Sequence, residues 1–224
     1  MVAPLVLALG LFAQSSAVPM ERGQVLYRMT LLRAAPGRLL EVIADVKTSA
    51  RGAVVLRHSQ GDHWDLMVLA RIGSYGEHFA RSQATVPLAD PARLAFQEDT
   101  FVRGPDLGAL PGFDAGGLYH VEMFHALAGK RDDLVHEREM ENAYLRALGR
   151  PTNAIFVREV GGAWDAFTVG AYRSWKHFAE RDDIAAERSE AAAREAGFPA
   201  GDQIGPYLRS LIQSHHDTLA TPVR

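Results

Sequence analysis

The sequence predicts an α+β protein built from two fused split βαβ repeats, whose antiparallel sheets face each other and whose helices cover the outside. The first observation is that the chain repeats itself in paired segments: Leu26-Tyr27 and Leu118-Tyr119, Trp64-Asp65 and Trp164-Asp165, His78-Phe79-Ala80 and His177-Phe178-Ala179. A period of about 100 residues fits a duplicated small domain rather than a solenoid. The second observation is that each copy has the order strand, helix, strand, strand, helix.

The composition narrows the function classes. The chain has 224 residues, of which 47% are hydrophobic, so it can bury one large core or two small fused ones. The net charge is −3 with both signs interspersed, which argues against nucleic acid as a partner. The absence of cysteine excludes disulfides, thiolate metal sites and cysteine nucleophiles. The predicted partner is a small organic molecule.

The N-terminal segment has the pattern of a secretory signal. Residues 2–12 are apolar, and Ser15 and Ala17 stand at the small positions before a cleavage site. We interpret residues 1–17 as a signal peptide, which predicts a periplasmic or secreted protein with no membrane span after cleavage. No Lys or Arg precedes the apolar run, so two alternatives stay open: an extension of the first strand, or Met20 as the true start of a cytoplasmic protein.

The first repeat, with its linker, is predicted over residues 18–113. Tyr27, Met29 and Leu31 alternate with polar residues as in a strand, and Leu39, Val42 and the apolar residues after them recur at helical spacing. The other expected elements are strands at 53–58 and 63–72, a helix from Ser74 to about Thr85, a short helix near 91–96, and a fourth strand near Phe101-Val102.

The second repeat is predicted over residues 114–224. Its expected elements are a strand from Leu118, a charged helix over 132–148, strands at 153–160 and 164–170, and a helix over 172–196. The C-terminal stretch places a set of apolar residues on one helical face: Ile204, Tyr207, Leu208, Leu211, Ile212, His215 and Leu219. We therefore expect an amphipathic C-terminal helix where a fourth strand would otherwise stand.

With both copies laid out, the chain resembles the dimeric α/β-barrel (ferredoxin-like) superfamily in a tandem, single-chain form. The resemblance covers about residues 25–85 and 118–197, and includes Ser74-Tyr75 before His78-Phe79 and Ser174-Trp175 before His177-Phe178. It implies two four-stranded sheets facing across a barrel, and it is compatible with a homo-oligomer. The superfamily includes haem-degrading and cofactor-free monooxygenases, chlorite dismutase-like haem proteins and small isomerases, so the fold alone does not give a function.

The first strand of the second repeat carries the candidate catalytic residues. His120 and Glu122 share one strand face, which we expect to point into the barrel, while Tyr119, Val121 and Met123 face the helices. A histidine and a carboxylate so placed suit a general base and its orienting group. Arg28, the counterpart of His120 on the first strand of the first repeat, and Arg158, on the second strand of the second repeat, would bind an anionic or enolic substrate. The alternatives are exposed cross-strand charges or a buried, satisfied ion network.

A second set of residues suggests haem. In the haem-degrading relatives a helix histidine binds iron, so the resemblance implies His78 or His177 as a ligand, with Trp64 and Trp164 as cavity walls. The competing interpretation of the tryptophans is that they anchor the core.

The sequence predicts no metal site. His215 and His216 are adjacent on the expected helix and would point about 100° apart, so they cannot share a metal ion. The charged run over 131–141 is interpreted as a solvated helix face. No phosphate loop, nucleophile elbow or zincin motif is present.

The leading hypothesis is an exported small-molecule-binding protein, with the activity of a cofactor-independent oxygenase or isomerase in the inter-sheet cavity. The alternatives are a haem-binding or haem-handling protein, and a non-catalytic interaction module.

Overall fold

Within residues 25–60, 62–82 and 87–224, which the computed structural model describes, eight strands close into one barrel. The strands are β1 (Val25–Ala34), β2 (Val54–Gln60), β3 (Leu66–Arg71), β4 (Leu94–Gly104), β5 (Leu118–Ala126), β6 (Asn153–Gly161), β7 (Ala166–Tyr172) and β8 (Ile212–Pro222). The helices are α1 (Leu39–Ser49), α2 (Tyr75–Ser82), α3 (Arg131–Ala147), α4 (Trp175–Ala179), α5 (Ala186–Glu195) and α6 (Ile204–Arg209). The predicted signal peptide, residues 1–17, lies outside the described residues.

The barrel consists of two antiparallel runs of four strands. The order is β4-β1-β3-β2 in the first half and β8-β5-β7-β6 in the second, and the pairs β2–β8 and β4–β6 join the halves. Because every strand has two hydrogen-bonded neighbours, the barrel has no open edge. The predicted α+β class is confirmed, and the two predicted sheets form a single closed barrel.

The barrel interior is filled by hydrophobic side chains from both halves. Alternate residues of β1 and β5, among them Met29, Leu31, Val121 and Met123, join one buried cluster that also contains Phe156. The prediction that Tyr119, Val121 and Met123 face the helices, with His120 and Glu122 pointing into the barrel, is therefore wrong. Helices cover the outer face and side chains fill the inner one, so both faces are buried and strand alternation alone does not reveal which is inside.

The repeated Trp-Asp pairs are explained by their place at the start of β3 and β7. Trp64 and Trp164 belong to the interior cluster, with 0% and 5% exposure. The Asp65 carboxylate accepts the backbone N–H of Ala34 at 2.8 Å, and that of Asp165 accepts the N–H of Ala126 at 3.0 Å. Each pair therefore fixes the end of the neighbouring strand while anchoring the core.

The predicted C-terminal helix is wrong. Only Ile204–Arg209 is helical, and Ile212–Pro222 forms β8, which pairs with β5 and β2 and supplies the fourth strand of the second half. The apolar residues that suggested a helical face are shared between α6, the turn and the strand. Pairing with strands far along the chain decides the conformation, and a local periodicity does not register such pairing.

The remaining differences concern helix boundaries. The helix expected over 172–196 is interrupted, since α4 and α5 are separated by a short 3-10 turn at Glu180–Asp183. The helix expected to reach Thr85 is described as far as Ser82, and the rest of that prediction lies outside the described residues. Among the helices described, none has both the length and the hydrophobicity needed to cross a bilayer.

Candidate functional site

The outer face of the second half carries a group of ionisable side chains between the sheet and α3. We call it the charged cluster, and its members are His120 and Glu122 of β5, Asp217 of β8, and Glu137, Arg138 and Glu141 of α3. Arg138 and Glu137 are 2% and 0% exposed. Charged side chains are almost never buried to this degree unless they are paired.

Arg138 is the central cation of the charged cluster. Its Nε and Nη2 donate to the two carboxylate oxygens of Glu137 at 2.5 and 2.7 Å. Its Nη1 lies 2.7 Å from Oε2 of Glu141 and 3.6 Å from Oε2 of Glu122. Neither Nη1 nor Glu141 Oε2 makes an aligned hydrogen bond within the described part of the chain. These two buried atoms are thus ion-paired with each other without an aligned hydrogen bond.

His120 lies at the more open side of the charged cluster. Its Nε2 is 3.4 Å from Oδ1 of Asp217, whose other oxygen is 3.2 Å from Nε2 of His215. The His120 ring packs against Phe178 of α4, with 5.4 Å between centroids. The His120 side chain is 19% exposed and that of Asp217 is 49% exposed. The imidazole of His120 is therefore partly open to solvent.

Among the described residues, the first half pairs Arg28 with Asp99 at the positions of His120 and Asp217, but it lacks the buried central cation. The same number of residues separates Tyr27 from Tyr119 and Val46 from Arg138, so Arg138 occupies the position of a fully buried valine. By the same correspondence, Thr30 occupies the position of Glu122, and Ser49 occupies the position of Glu141. The fold is therefore completed with an apolar interface in one half and a charged one in the other.

Burial and mutual repulsion set the pKa values in the charged cluster. Burial raises the pKa of Glu141 to about 7, with Arg138 opposing the shift and Glu122 and Glu137 adding to it. Burial also raises the pKa of Glu137. For His120, burial lowers the pKa, but the hydrogen bond to Asp217 and the nearby carboxylates outweigh it and raise the pKa overall. Such perturbed groups are typical of functional sites.

Replacing Glu141 with glutamine is expected to change how stability depends on pH. The folded-state pKa of Glu141 is about 7 against 4.5 for the free group, so its stabilising contribution is complete below pH 4.5 and is lost as the pH rises to about 7. Glutamine cannot ionise, so Glu141→Gln does not lose this contribution. Its free energy of unfolding should therefore rise relative to that of the native protein between pH 4.5 and about pH 7. The limiting slope is about 1.4 kcal/mol per pH unit.

Urea denaturation at intervals from pH 4.5 to pH 8 measures this effect. Glu139→Gln, on the exposed side of α3, is the matched control and should track the native protein. Parallel curves for Glu141→Gln and the native protein would contradict the raised pKa.

The predicted arginines lie apart from His120 and Glu122. Arg28 is on the outer face of the first half, with its Nε 3.9 Å from Asp99. Arg158 pairs with Asp165 at 2.5 Å and lines a separate surface pocket of about 280 Å³. Of the predicted polar site, the structure brings together only His120 and Glu122.

The residues predicted for haem also lie apart from one another. Trp64 and Trp164 are in the barrel core, whereas His78 and His177 are half-buried on outer helices. His78 packs against Phe79 and Phe101 at 5.2 and 5.4 Å between centroids. His177 accepts the backbone N–H of Arg173 at its Nδ1, 3.2 Å away.

The surroundings of His177 do not fit a haem group. The layer between α4 and the sheet contains Phe178, His120 and the carboxylates of the charged cluster. A haem group here would place its apolar macrocycle and its acidic propionates against these carboxylates, which is unfavourable. The aromatic rings around His78 suit a flat apolar ligand better. Haem ligation by His78 therefore stays a prediction, and no step of the function below depends on it.

Arg138, Glu137, Glu141 and Asp217 were not among the predicted site residues. The run over 131–141 suggests a solvated face by its charge pattern, but α3 buries one side of it against β5. Alignment of the two repeats contains a signal that identifies Arg138 as a buried charge, because it places Arg138 opposite the core residue Val46.

Comparisons with known proteins give a likeness of fold. No family model matches the sequence, and no curated protein matches it. An anthrone oxidase-like protein of known crystal structure superposes with a TM-score of 0.63 at 10% identity, covering 89% of this chain and 92% of the other. A proposed monooxygenase from Fusobacterium nucleatum superposes with a TM-score of 0.51 at 6% identity, covering 89% and 93%. The strand order and these neighbours together identify the chain as a single-chain protein with the dimeric α/β-barrel fold.

Proposed function

We propose that the protein is an enzyme that transfers a proton at His120, acting on a small organic molecule bound on the outer face of the second half. The observation that carries the proposal is the charged cluster itself. Burying several carboxylates around one arginine costs free energy, and the first half folds with Val46 and Thr30 at the same positions. A costly arrangement that the fold does not require is best explained by its chemistry.

His120 is suited to act as the base. A carboxylate oxygen of Asp217 faces its Nε2, which favours the tautomer with hydrogen on Nε2 and leaves the lone pair on Nδ1. Asp217 then stabilises the imidazolium that forms when Nδ1 takes a proton. Glu122 is held by Thr168, whose hydroxyl donates to Oε2 at 3.2 Å, so Glu122 adds negative charge near the protonated ring.

The net negative charge selects the substrate class. Four carboxylates surround Arg138 and His120, so the charged cluster favours a neutral proton donor over an anion. An aromatic ketone or phenol with an acidic C–H or O–H has this chemistry, and the anthrone oxidase-like neighbour supports this class. We therefore place the substrate beside Phe178, the aromatic ring that packs on His120.

The reaction we propose consumes molecular oxygen and needs no bound cofactor. His120 removes a proton from a methylene next to the aromatic ketone, and the electron pair remains on the substrate as an enolate. The enolate reacts with O₂, the methylene becomes a carbonyl, one oxygen atom enters the product and the other leaves as water. Export of this enzyme to the periplasm or medium stays part of the proposal.

Turnover of anthrone tests the proposal. Quinone absorbance and oxygen uptake should rise together in the presence of a chelator, and His120→Gln should lower kcat/KM by about 100-fold or more. Asp217→Asn should shift the acid limb of the pH profile to lower pH, because His120 loses the carboxylate that raises its pKa. His136→Gln, exposed on α3, is the control and should keep full activity. Unchanged turnover in His120→Gln would remove His120 from the mechanism, and no turnover of any aromatic ketone would favour the interaction-module hypothesis.

A further inference from the structure

A second group of histidine and carboxylate side chains lies at one end of the barrel, where the β2–β3 hairpin meets β8. Asp62, His63 and His216 each offer one potential ligand atom, and these atoms lie within 4.8 Å of one another. The Nδ1 atoms of His63 and His216 are 2.7 and 3.4 Å from Oδ1 of Asp62. We propose that this hairpin triad binds one divalent transition-metal ion.

The state of Asp62 is the main argument. Its side chain is 0% exposed, and its Oδ2 makes no hydrogen bond within the described residues. A buried carboxylate oxygen without a partner is costly, and a bound cation removes that cost. Asp62 Oδ1 is already oriented toward both imidazoles, so only small movements separate this geometry from coordination.

The ligand set indicates which ions bind. Two imidazole nitrogens and one carboxylate oxygen suit Zn²⁺, Fe²⁺, Co²⁺ and Cu²⁺, whereas Mg²⁺ and Ca²⁺ prefer all-oxygen ligands. The side chains of His63 and His216 are each 44% exposed, which gives the ion an entry path and leaves positions for water or a small ligand. His216 is oriented by Trp164, whose ring meets it edge to face at 4.8 Å between centroids.

The hairpin triad is not a requirement of the fold. Asp99 of β4 pairs with Thr30 of β1 as Asp217 of β8 pairs with Glu122 of β5. The residue before each aspartate then corresponds too, so Glu98 is the counterpart of His216. The counterparts of Asp62 and His63, counted from the paired tryptophans, are Gly162 and Ala163. One end of the barrel therefore has three potential ligands where the matching end has one carboxylate, which points to a specific role.

Metal titration of the full chain, made without a histidine tag, tests the inference. Isothermal titration with Zn²⁺ should give one equivalent for the native protein, and Co²⁺ should give visible absorption bands typical of imidazole–carboxylate coordination. Asp62→Asn, His63→Gln and His216→Gln should each weaken Zn²⁺ binding at least about tenfold. Three variants are used so that a folding defect in one, seen by circular dichroism, leaves two others.

Two control variants separate the hairpin triad from other histidines. His136→Gln should bind Zn²⁺ as the native protein does, and so should His120→Gln, which alters the charged cluster on the opposite face of β8. Absence of Zn²⁺ binding, equal binding by all three triad variants, or loss of binding in His120→Gln would each overturn the inference. His120→Gln removes the proposed base but keeps the hairpin triad. The metal site and the proposed proton transfer are therefore tested independently.

Discussion

Replacing Arg138 with leucine is expected to lower the free energy of unfolding by about 3–5 kcal/mol at pH 7. Arg138 is 2% exposed and is the cation that Glu137, Glu141 and Glu122 share. Leucine loses the contact of the guanidinium carbon with the Phe124 ring, whose centroid is 5.1 Å away, and it leaves the carboxylates buried without compensation. Urea denaturation measures the loss, which should shrink toward pH 5 as the carboxylates with raised pKa take up protons.

Two further variants decide whether charge is the cause. Arg146→Leu, on the exposed surface of the same helix, should change stability by less than about 0.5 kcal/mol. Adding Glu122→Thr, Glu137→Gln and Glu141→Ser to Arg138→Val removes the arginine and the three carboxylates that β5 and α3 contribute to the charged cluster. At positions 122, 138 and 141 it introduces the residue types of the first half. This fourfold variant should recover to within about 1–2 kcal/mol of the native protein, because packed neutral residues replace buried ion networks at little cost. A loss below about 1 kcal/mol for Arg138→Leu alone would show that the carboxylates are neutral without the arginine.

The two repeats explain which parts of the structure the sequence could predict. Paired segments such as Trp64-Asp65 and Trp164-Asp165 recur in both repeats and directly precede β3 and β7. Such segments therefore help to predict where the first three strands of each half lie along the chain. Residues 212–222 have no such mark, and their conformation depends on pairing with β5 and β2, far away in sequence. The β8 strand was therefore predicted as a helix.

The same long-range pairing determines the sites. Because β8 is a strand, His216 faces the barrel interior and Asp217 the outer face, so neighbouring residues serve two separate clusters. On a helix, the two would have diverged by about 100° with no defined partners. The pairing of His120 with Asp217, and of His216 with Asp62, could not be predicted without the register of β8 against β5 and β2.

The two halves also differ in the interface between the sheet and its long helix. The first half keeps an apolar interface at Val42, Val46 and Val68 between α1 and the sheet. The second half replaces the central residue of that interface with Arg138 and surrounds it with carboxylates. One copy can thus supply stability while the other carries charges that cost stability, which is the division expected if the second half holds the active site.

Replacing Trp64 with alanine is expected to lower the free energy of unfolding by about 3–5 kcal/mol, the range for large-to-small changes in a packed core. Trp64 is 0% exposed and belongs to the cluster that fills the barrel from both halves. Its Nε1 is buried without a hydrogen-bond partner among the described residues, so Trp64→Phe removes an unsatisfied donor while losing less volume. The phenylalanine variant should therefore cost clearly less than the alanine variant.

This comparison also decides between the two interpretations of the tryptophans. If Trp64 is a core anchor, Trp64→Phe leaves the turnover of anthrone unchanged and lowers only the midpoint of denaturation. If it lines a ligand cavity, Trp64→Phe changes KM while stability falls little, since a cavity wall already lacks neighbours on one side. Trp175→Phe, at a side chain with 52% exposure, is the control for both readouts. Because the interior is filled by residues such as Met29, Phe156 and Val121, we expect the first outcome, with the substrate on the outer face beside His120.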